Sequence, residues 1–95
     1  MIVKLKFDMF YTTIKVPNIS EKELRNGFYD KFYRWLKMQH CTEKIGGRIG
    51  YVFADDEVID WLKETKFPND KIEILEKGMN LDYNSNYNID VTLFF

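Results

Sequence analysis

The first sixteen residues alternate between apolar and polar side chains, which is the pattern of a half-buried β-strand. Val3, Leu5, Phe7 and Met9 share one parity, but from Phe10 onward the apolar residues take the other parity. A strand changes phase in this way only at a bulge, a bend or a turn. Because no glycine, asparagine or proline lies at the change, we expect one long bent strand that ends at Pro17.

The next segment carries the signals of a helix that begins at Ser20. Ser20 and Glu23 have the spacing of a capping box, in which each side chain accepts a hydrogen bond from the backbone of the other residue. Ile19 and Leu24 stand at the two apolar positions that pack together beside such a box. We expect this helix to continue to about residue 40.

A further strand and a second helix follow. Residues 48–54 alternate, and the side chains of both parities are mostly apolar or small, which predicts a strand inside a sheet. The acidic residues after Ala54 suit the first turn of a helix, because a helix N-terminus carries partial positive charge. We expect that helix over about residues 55–66, with Pro68 beyond its end.

The remaining residues predict a hairpin. A strand that begins near Ile72 changes phase at Gly78, and a glycine at such a change indicates a bulge. Residues 84–86 are Asn-Ser-Asn, which predicts a turn. Residues 87–95 then alternate cleanly, so we expect this last strand to pair with the preceding one through the turn.

The order of elements is therefore β-α-β-α-β-β, within one α+β domain over residues 1–95. We expect a small two-layer arrangement, with two helices on one face of a mostly antiparallel sheet. This order is related to a ferredoxin-like split unit but does not match its strand order. An apolar final strand at a sheet edge could pair with a partner chain, or with a second copy in a homodimer.

The composition and the first residues argue against a membrane span, an internal disulfide and secretion. No run of 18 apolar residues occurs, so we expect no membrane span. Cys41 is the only cysteine, which excludes an internal disulfide. The first residues enter a strand pattern and show no secretion signal, so we expect a cytoplasmic protein.

Charge is distributed unevenly, although the net charge is only −1. Residues 1–48 hold ten Lys or Arg and five Asp or Glu, whereas residues 49–95 hold four and ten. The two halves either interleave and neutralise each other or point to charged partners. The abundance of Lys, Ile, Phe, Asn and Tyr matches AT-rich codons, which fits a phage, a mobile element or an AT-rich bacterium.

Residues 29–40 combine four aromatic with four basic side chains, as single-stranded nucleic-acid surfaces do. A helical wheel separates the two classes. The inward stripe is Leu24, Phe28, Phe32, Trp35 and Leu36, and the outward face is Lys31, Arg34 and Lys37. Tyr29, Tyr33 and Lys37 remain on the boundary, with Arg34 nearby. This ridge predicts an alternative nucleic-acid site, while tyrosines at the rim of a core are the commoner explanation.

Few residues have the spacing of a catalytic or metal site. Asp55 and Asp56 follow a strand, where magnesium-dependent phosphoryl enzymes place ligands, and Asp8 could join them. A magnesium-dependent nuclease is therefore a further alternative. His40 and Cys41 are neighbours at a helix end, which seldom holds a catalytic pair in contact. We predict no catalytic residue, no metal and no cofactor.

The second helix presents an acidic face of Asp56, Glu57, Asp60 and Glu64. A row of carboxylates can imitate phosphates and occupy a nucleic-acid channel on another protein. Our preferred interpretation is a small non-enzymatic protein that binds a basic macromolecule through this patch. A phage or mobile-element inhibitor of a host defence nuclease, of the anti-CRISPR kind, fits these features.

Overall fold

The computed structural model describes residues 1–80 and 86–95. Within them the elements in chain order are β1 (Ile2–Lys6), β2 (Phe10–Lys15), α1 (Glu21–Arg25), α2 (Phe28–Met38), β3 (Thr42–Ile45), β4 (Arg48–Tyr51), α3 (Asp55–Thr65), β5 (Glu73–Met79) and β6 (Val91–Phe94). Four of these strands form a mixed sheet in the order β5-β2-β1-β6, and β3 pairs with β4 separately. β1 is antiparallel to β2 and parallel to β6, and β2 is antiparallel to β5.

The helices cover one face of the four-stranded sheet, which confirms the predicted two-layer α+β arrangement. The strands contribute one parity to the core, including Val3, Leu5 and Leu93, all fully buried. The helical core residues are Leu24, Phe28, Phe32, Leu36, Val58, Trp61 and Leu62. None of the described helices has the length and apolar character needed to cross a bilayer.

A two-residue turn joins β1 to β2, so the predicted single bent strand is wrong. The Phe7 N–H donates to the Phe10 carbonyl at 2.9 Å, and Asp8 and Met9 form the loop. Neither loop residue has a positive φ, whereas the favoured two-residue hairpin turns need one or two such residues. The turn therefore carries no glycine or asparagine, and the sequence shows only the change of phase.

The predicted first helix is divided into α1 and α2 at Gly27. Gly27 has a φ of 62°, in the left-handed region that glycine adopts without strain. The start of α1 is as predicted, because the Glu23 N–H donates to the Ser20 hydroxyl at 3.1 Å. The predicted second helix corresponds to α3, with an end that differs by one residue.

The segment predicted as an interior strand lies instead in the exposed β3–β4 hairpin. Three of the four residues of β4 are exposed, and among the described residues β4 pairs only with β3. Gly46 and Gly47 form the turn with φ values of 56° and 80°, as a type I′ turn requires. The glycine pair is a hairpin signal in the sequence, but β3 contains only one large apolar residue and does not read as a strand.

β5 and β6 lie at opposite edges of the four-stranded sheet, so the predicted pairing of the last two strands is wrong. The irregularity in β5 lies opposite Thr13 and Ile14 of β2 and not at Gly78. The predicted turn residues Asn84 and Ser85 lie outside the described residues. A parallel pairing between β6 and β1 joins segments almost ninety residues apart, which local periodicity cannot indicate.

Side chains of the helices bind two outward backbone groups of β6. The Thr92 carbonyl accepts a hydrogen bond from the Arg25 guanidinium at 3.1 Å. The Phe94 N–H donates to the Tyr29 hydroxyl at 3.3 Å. The edge that we expected to pair with a partner chain is thereby partly capped by α1 and α2, and homodimer formation there stays a prediction.

Candidate functional site

Three tyrosines form a row across α2 and β4, which we call the tyrosine row. Tyr29 and Tyr33 are one helical turn apart, and their ring centroids lie 6.5 Å from each other. The ring of Tyr51 lies 4.8 Å from that of Tyr33. The sequence predicts the first two residues as a ridge but misses Tyr51, because that contact depends on how the hairpin folds back against α2.

The β3–β4 hairpin adds an exposed apolar side chain beside the tyrosine row. Ile49 is 55% exposed, whereas Ile45 and Val52, which are 66% and 54% exposed, lie on the opposite face of the hairpin. Ile49 lies on the same face of β4 as Tyr51, since strand residues two apart share a face. An exposed apolar side chain next to partly exposed aromatic rings is typical of an interface.

The basic residues of α2 lie where the helical wheel places them. Arg34 and Lys37 are exposed, whereas Phe32 is fully buried. Lys37 follows Tyr33 by four residues, so the two side chains are neighbours on one ridge of the helix. The tyrosine row therefore has cations at one end, as the alternative nucleic-acid site requires.

The pKa of Tyr33 lies above its ordinary value. Burial is the main cause, because it disfavours the charged phenolate, and the neighbouring Tyr29 and Tyr51 raise the pKa further. Tyr33 is therefore uncharged at physiological pH. The centre of the tyrosine row presents an aromatic ring and a neutral hydroxyl to a partner.

The four predicted acidic residues of α3 differ in their surroundings. Asp56 and Asp60 are exposed, and within the described parts of the chain no side-chain hydrogen bond engages either. Glu57 accepts the backbone N–H that precedes α3 at 2.9 Å and so caps the helix. Glu64 accepts a hydrogen bond from the indole N–H of Trp35 at 2.7 Å and so joins α3 to α2. Two of the four carboxylates thus have a structural role.

The carboxylates of the nuclease alternative have separate surroundings. Asp55 is buried, and its Oδ2 lies 2.7 Å from the Thr12 hydroxyl and 3.1 Å from Nζ of Lys77. A carboxylate that is already paired with a lysine is a poor metal ligand. Asp8 lies in the β1–β2 turn and Asp56 on the exposed side of α3. Over residues 1–80 and 86–95, no three His, Cys, Asp or Glu side chains form a group that could hold a metal ion.

The basic and acidic halves of the chain interleave in the sheet, since β1 and β2 pair with β6 and β5. The ion pairs of the described residues nevertheless each join residues of the same half. They are Arg25 with Glu21 and Lys77 with Asp55. The strands of the two halves therefore alternate in the sheet, but no ion pair among the described residues joins one half to the other. The exposed carboxylates of α3 stay available to an external partner.

Comparisons with protein-family models, with curated proteins and with solved structures found no match for this chain. The chain presents two surfaces that could bind a partner: the tyrosine row with Ile49 beside it, and the acidic face of α3.

Proposed function

We propose that this protein acts by binding a basic protein and catalyses no reaction. The contact surface is the tyrosine row together with Ile49, which lies on the same face of the β3–β4 hairpin as Tyr51. The exposure of Ile49 and Tyr51, on a hairpin that stands outside the main sheet, is the observation that supports the proposal most. Tyrosine is enriched among the residues that contribute most to protein–protein binding, and exposed apolar clusters mark interfaces.

The acidic face of α3 indicates the sign of the partner's charge. Its members are Asp56, Glu57, Asp60 and Glu64, of which Asp56 and Asp60 are the carboxylates without a structural partner. Opposite charges steer the encounter, while the apolar contacts hold the complex. Proteins that bind nucleic acid carry basic surfaces, so they fit this partner class. An inhibitor of a host defence nuclease, encoded by a phage or mobile element, is the specific form of the proposal.

Capture of partners from host cells, with tagged protein, tests the contact surface. Ile49→Asp should lower the captured amount at least about tenfold, because a charge buried in an apolar interface is costly. Ile74→Asp is the matched control, since Ile74 is 45% exposed but lies on β5. Equal capture by the wild-type protein and Ile49→Asp would contradict the proposed surface.

The association rate with the captured partner tests the acidic face. The double variant Asp56→Asn with Asp60→Asn should associate about three- to tenfold more slowly at low salt, with the difference shrinking as salt is added. Asp70→Asn with Glu73→Gln removes two other exposed charges and is the control. If both double variants slowed association equally, net charge alone would explain the effect and the α3 face would have no special role.

Nucleic acid is a second candidate ligand, because the 4.8 Å contact adds Tyr51 to the predicted ridge. Bases would stack on Tyr29 and Tyr33, and phosphates would pair with Arg34 and Lys37. Fluorescence anisotropy with labelled single-stranded DNA and RNA over a salt series tests this candidate. Binding that weakens with salt and is lost in Tyr33→Ala supports it. No binding at about 100 μM protein, a concentration that detects even non-specific binding, removes it.

A further inference from the structure

An apolar groove of about 360 Å³ opens between the β1–β2 turn and the segment that precedes α3. Its lining residues are Phe7, Asp8, Met9, Phe10, Phe53 and Phe95. No member of the tyrosine row lines it, so the groove is a separate surface. The two surfaces are adjacent, because the ring of Phe53 also lies 5.9 Å from that of Tyr33.

The phenylalanine rings hold one another in place. Phe7 stacks with Phe10 and with Phe95, at centroid distances of 4.5 and 5.2 Å. Phe53 lies 5.8 Å from Phe95 and closes one side. The side-chain amide of Asn80 donates to two carbonyls of the β1–β2 turn, which fixes the rim. A groove that is formed before binding loses little conformational entropy when a ligand enters it.

A carboxylate lies at the rim of the groove. Asp8 lines it and is exposed, and among residues 1–80 and 86–95 no cation forms an ion pair with it. Met9, which is 71% exposed, adds a flexible apolar side chain to the rim. An apolar floor with a carboxylate at its edge complements an apolar side chain that is accompanied by a cation.

We propose that this groove binds a protein segment in which a large apolar side chain is next to a lysine or an arginine. The apolar side chain enters between the phenylalanine rings, and the cation pairs with Asp8. This inference rests on the proposal that the partner is a basic protein. It adds a second contact that has its own sequence preference, apart from the tyrosine row.

Peptide titrations of the ¹⁵N-labelled chain, observed by NMR, test the groove without the partner. Acetyl-Gly-Phe-Arg-Gly-amide should shift the amide signals around Asp8 and Phe53 in a saturable way, with a Kd of about 1 mM. Peptides with Ala in place of Phe, or Glu in place of Arg, should bind at least about fivefold more weakly. No saturable shifts at the groove, or equal shifts with all three peptides, would overturn the inference.

Exposed rim residues supply variants that leave the core unchanged. Met9→Lys should raise the Kd of the Phe-Arg peptide about fivefold through charge repulsion, and Asp8→Asn about threefold. Met38→Lys is the matched control, because Met38 is 75% exposed at the end of α2 and is not among the residues that line the groove. If Met9→Lys and Met38→Lys weakened the peptide equally, a change in net charge would explain both and the groove would not be the site.

The variant Ile49→Asp separates this inference from the proposed function. It should lose the captured partner yet bind the Phe-Arg peptide as strongly as the wild-type protein does. Normal partner capture together with peptide binding would overturn the tyrosine-row contact and support the groove. Loss of capture with no peptide binding in either protein would overturn the groove alone.

Discussion

The carboxylate of Asp55 lies 3.1 Å from the ammonium group of Lys77 and so joins the start of α3 to β5. The same oxygen accepts a hydrogen bond from the Thr12 hydroxyl of β2 at 2.7 Å. Burial raises the pKa of Asp55, but the bonds from Thr12 and Lys77 and the charge of Lys77 outweigh that effect, so the pKa lies below its ordinary value. An acidic residue that suits a helix start thereby also fixes α3 on the sheet.

This ion pair predicts a specific loss of stability in acid. A lowered pKa in the folded state means that Asp55 stabilises the fold above its unfolded pKa of about 3.9. That stabilisation is lost as the pH falls through the lower folded pKa. Asp55→Asn should be about 1–2 kcal/mol less stable than the wild-type protein at pH 7, and the difference should shrink below about pH 4. Urea unfolding at a series of pH values measures it.

Asp56, the exposed neighbour of Asp55, provides the control for the unfolding measurements. Asp56→Asn changes the same formal charge on the same turn of α3, but Asp56 is exposed. Its stability at pH 7 should stay within about 0.5 kcal/mol of that of the wild-type protein. A difference between Asp55→Asn and the wild-type protein that did not depend on pH would contradict the role of the charged carboxylate.

Replacement of Gly27 by alanine should destabilise the junction between α1 and α2 by about 1 kcal/mol. Gly27 has a left-handed φ of 62°, and an added Cβ would lie 3.1 Å from Cε of Lys31. Gly50→Ala is the control, because Gly50 is not in the left-handed region and its added Cβ would meet ordinary contacts at 3.7 Å. Thermal unfolding compares the two variants, and an equal effect on both would count against the backbone explanation.

The C-terminus of α2 predicts a stabilising substitution. His40 has a φ of 60°, and the N–H groups of His40 and Cys41 bond back to the carbonyls of Lys37 and Leu36. Glycine is the usual residue at this position of such a helix end, because side chains with a Cβ are strained there. His40→Gly should therefore raise the free energy of unfolding by about 0.5–1 kcal/mol. His40→Ala keeps the Cβ, and an equal gain in that variant would refute this explanation.

Local sequence patterns predict some features of this fold and miss others. The alternation in residues 2–16 correctly places Val3, Leu5 and Ile14 in the core, and the cap at Ser20 is where the sequence places it. Met9 shares the parity of Val3 but is 71% exposed, because it lies in the β1–β2 turn. The connection between the two phases could not be predicted, because the turn at Asp8 and Met9 uses no residue with a positive φ. The pairing of β6 with β1 depends on contacts between distant segments, for which the sequence has no local signal.

Local sequence patterns likewise predict only part of each candidate surface. Tyr29 and Tyr33 follow from helical geometry within one segment, whereas Tyr51 joins them only when the hairpin packs on α2. The apolar groove brings together three segments of the chain, so no single stretch of sequence indicates it. Side-chain periodicity predicts faces of single elements, and surfaces shared between elements require the tertiary structure.

The assembly of the tyrosine row predicts a measurable change in the titration of Tyr33. Burial and the neighbours Tyr29 and Tyr51 raise the pKa of its phenol, so the neutral form stabilises the fold up to the unfolded pKa near 10 and this stabilisation is lost at higher pH. Tyr51→Phe removes one neighbouring hydroxyl and should lower the pKa of Tyr33 while leaving it above its ordinary value. NMR of ¹³Cζ-labelled tyrosine measures the titration, and Tyr87→Phe, which alters a tyrosine outside the row, is the control. An unchanged titration of Tyr33 in Tyr51→Phe would mean that the hairpin does not hold Tyr51 against α2 in solution.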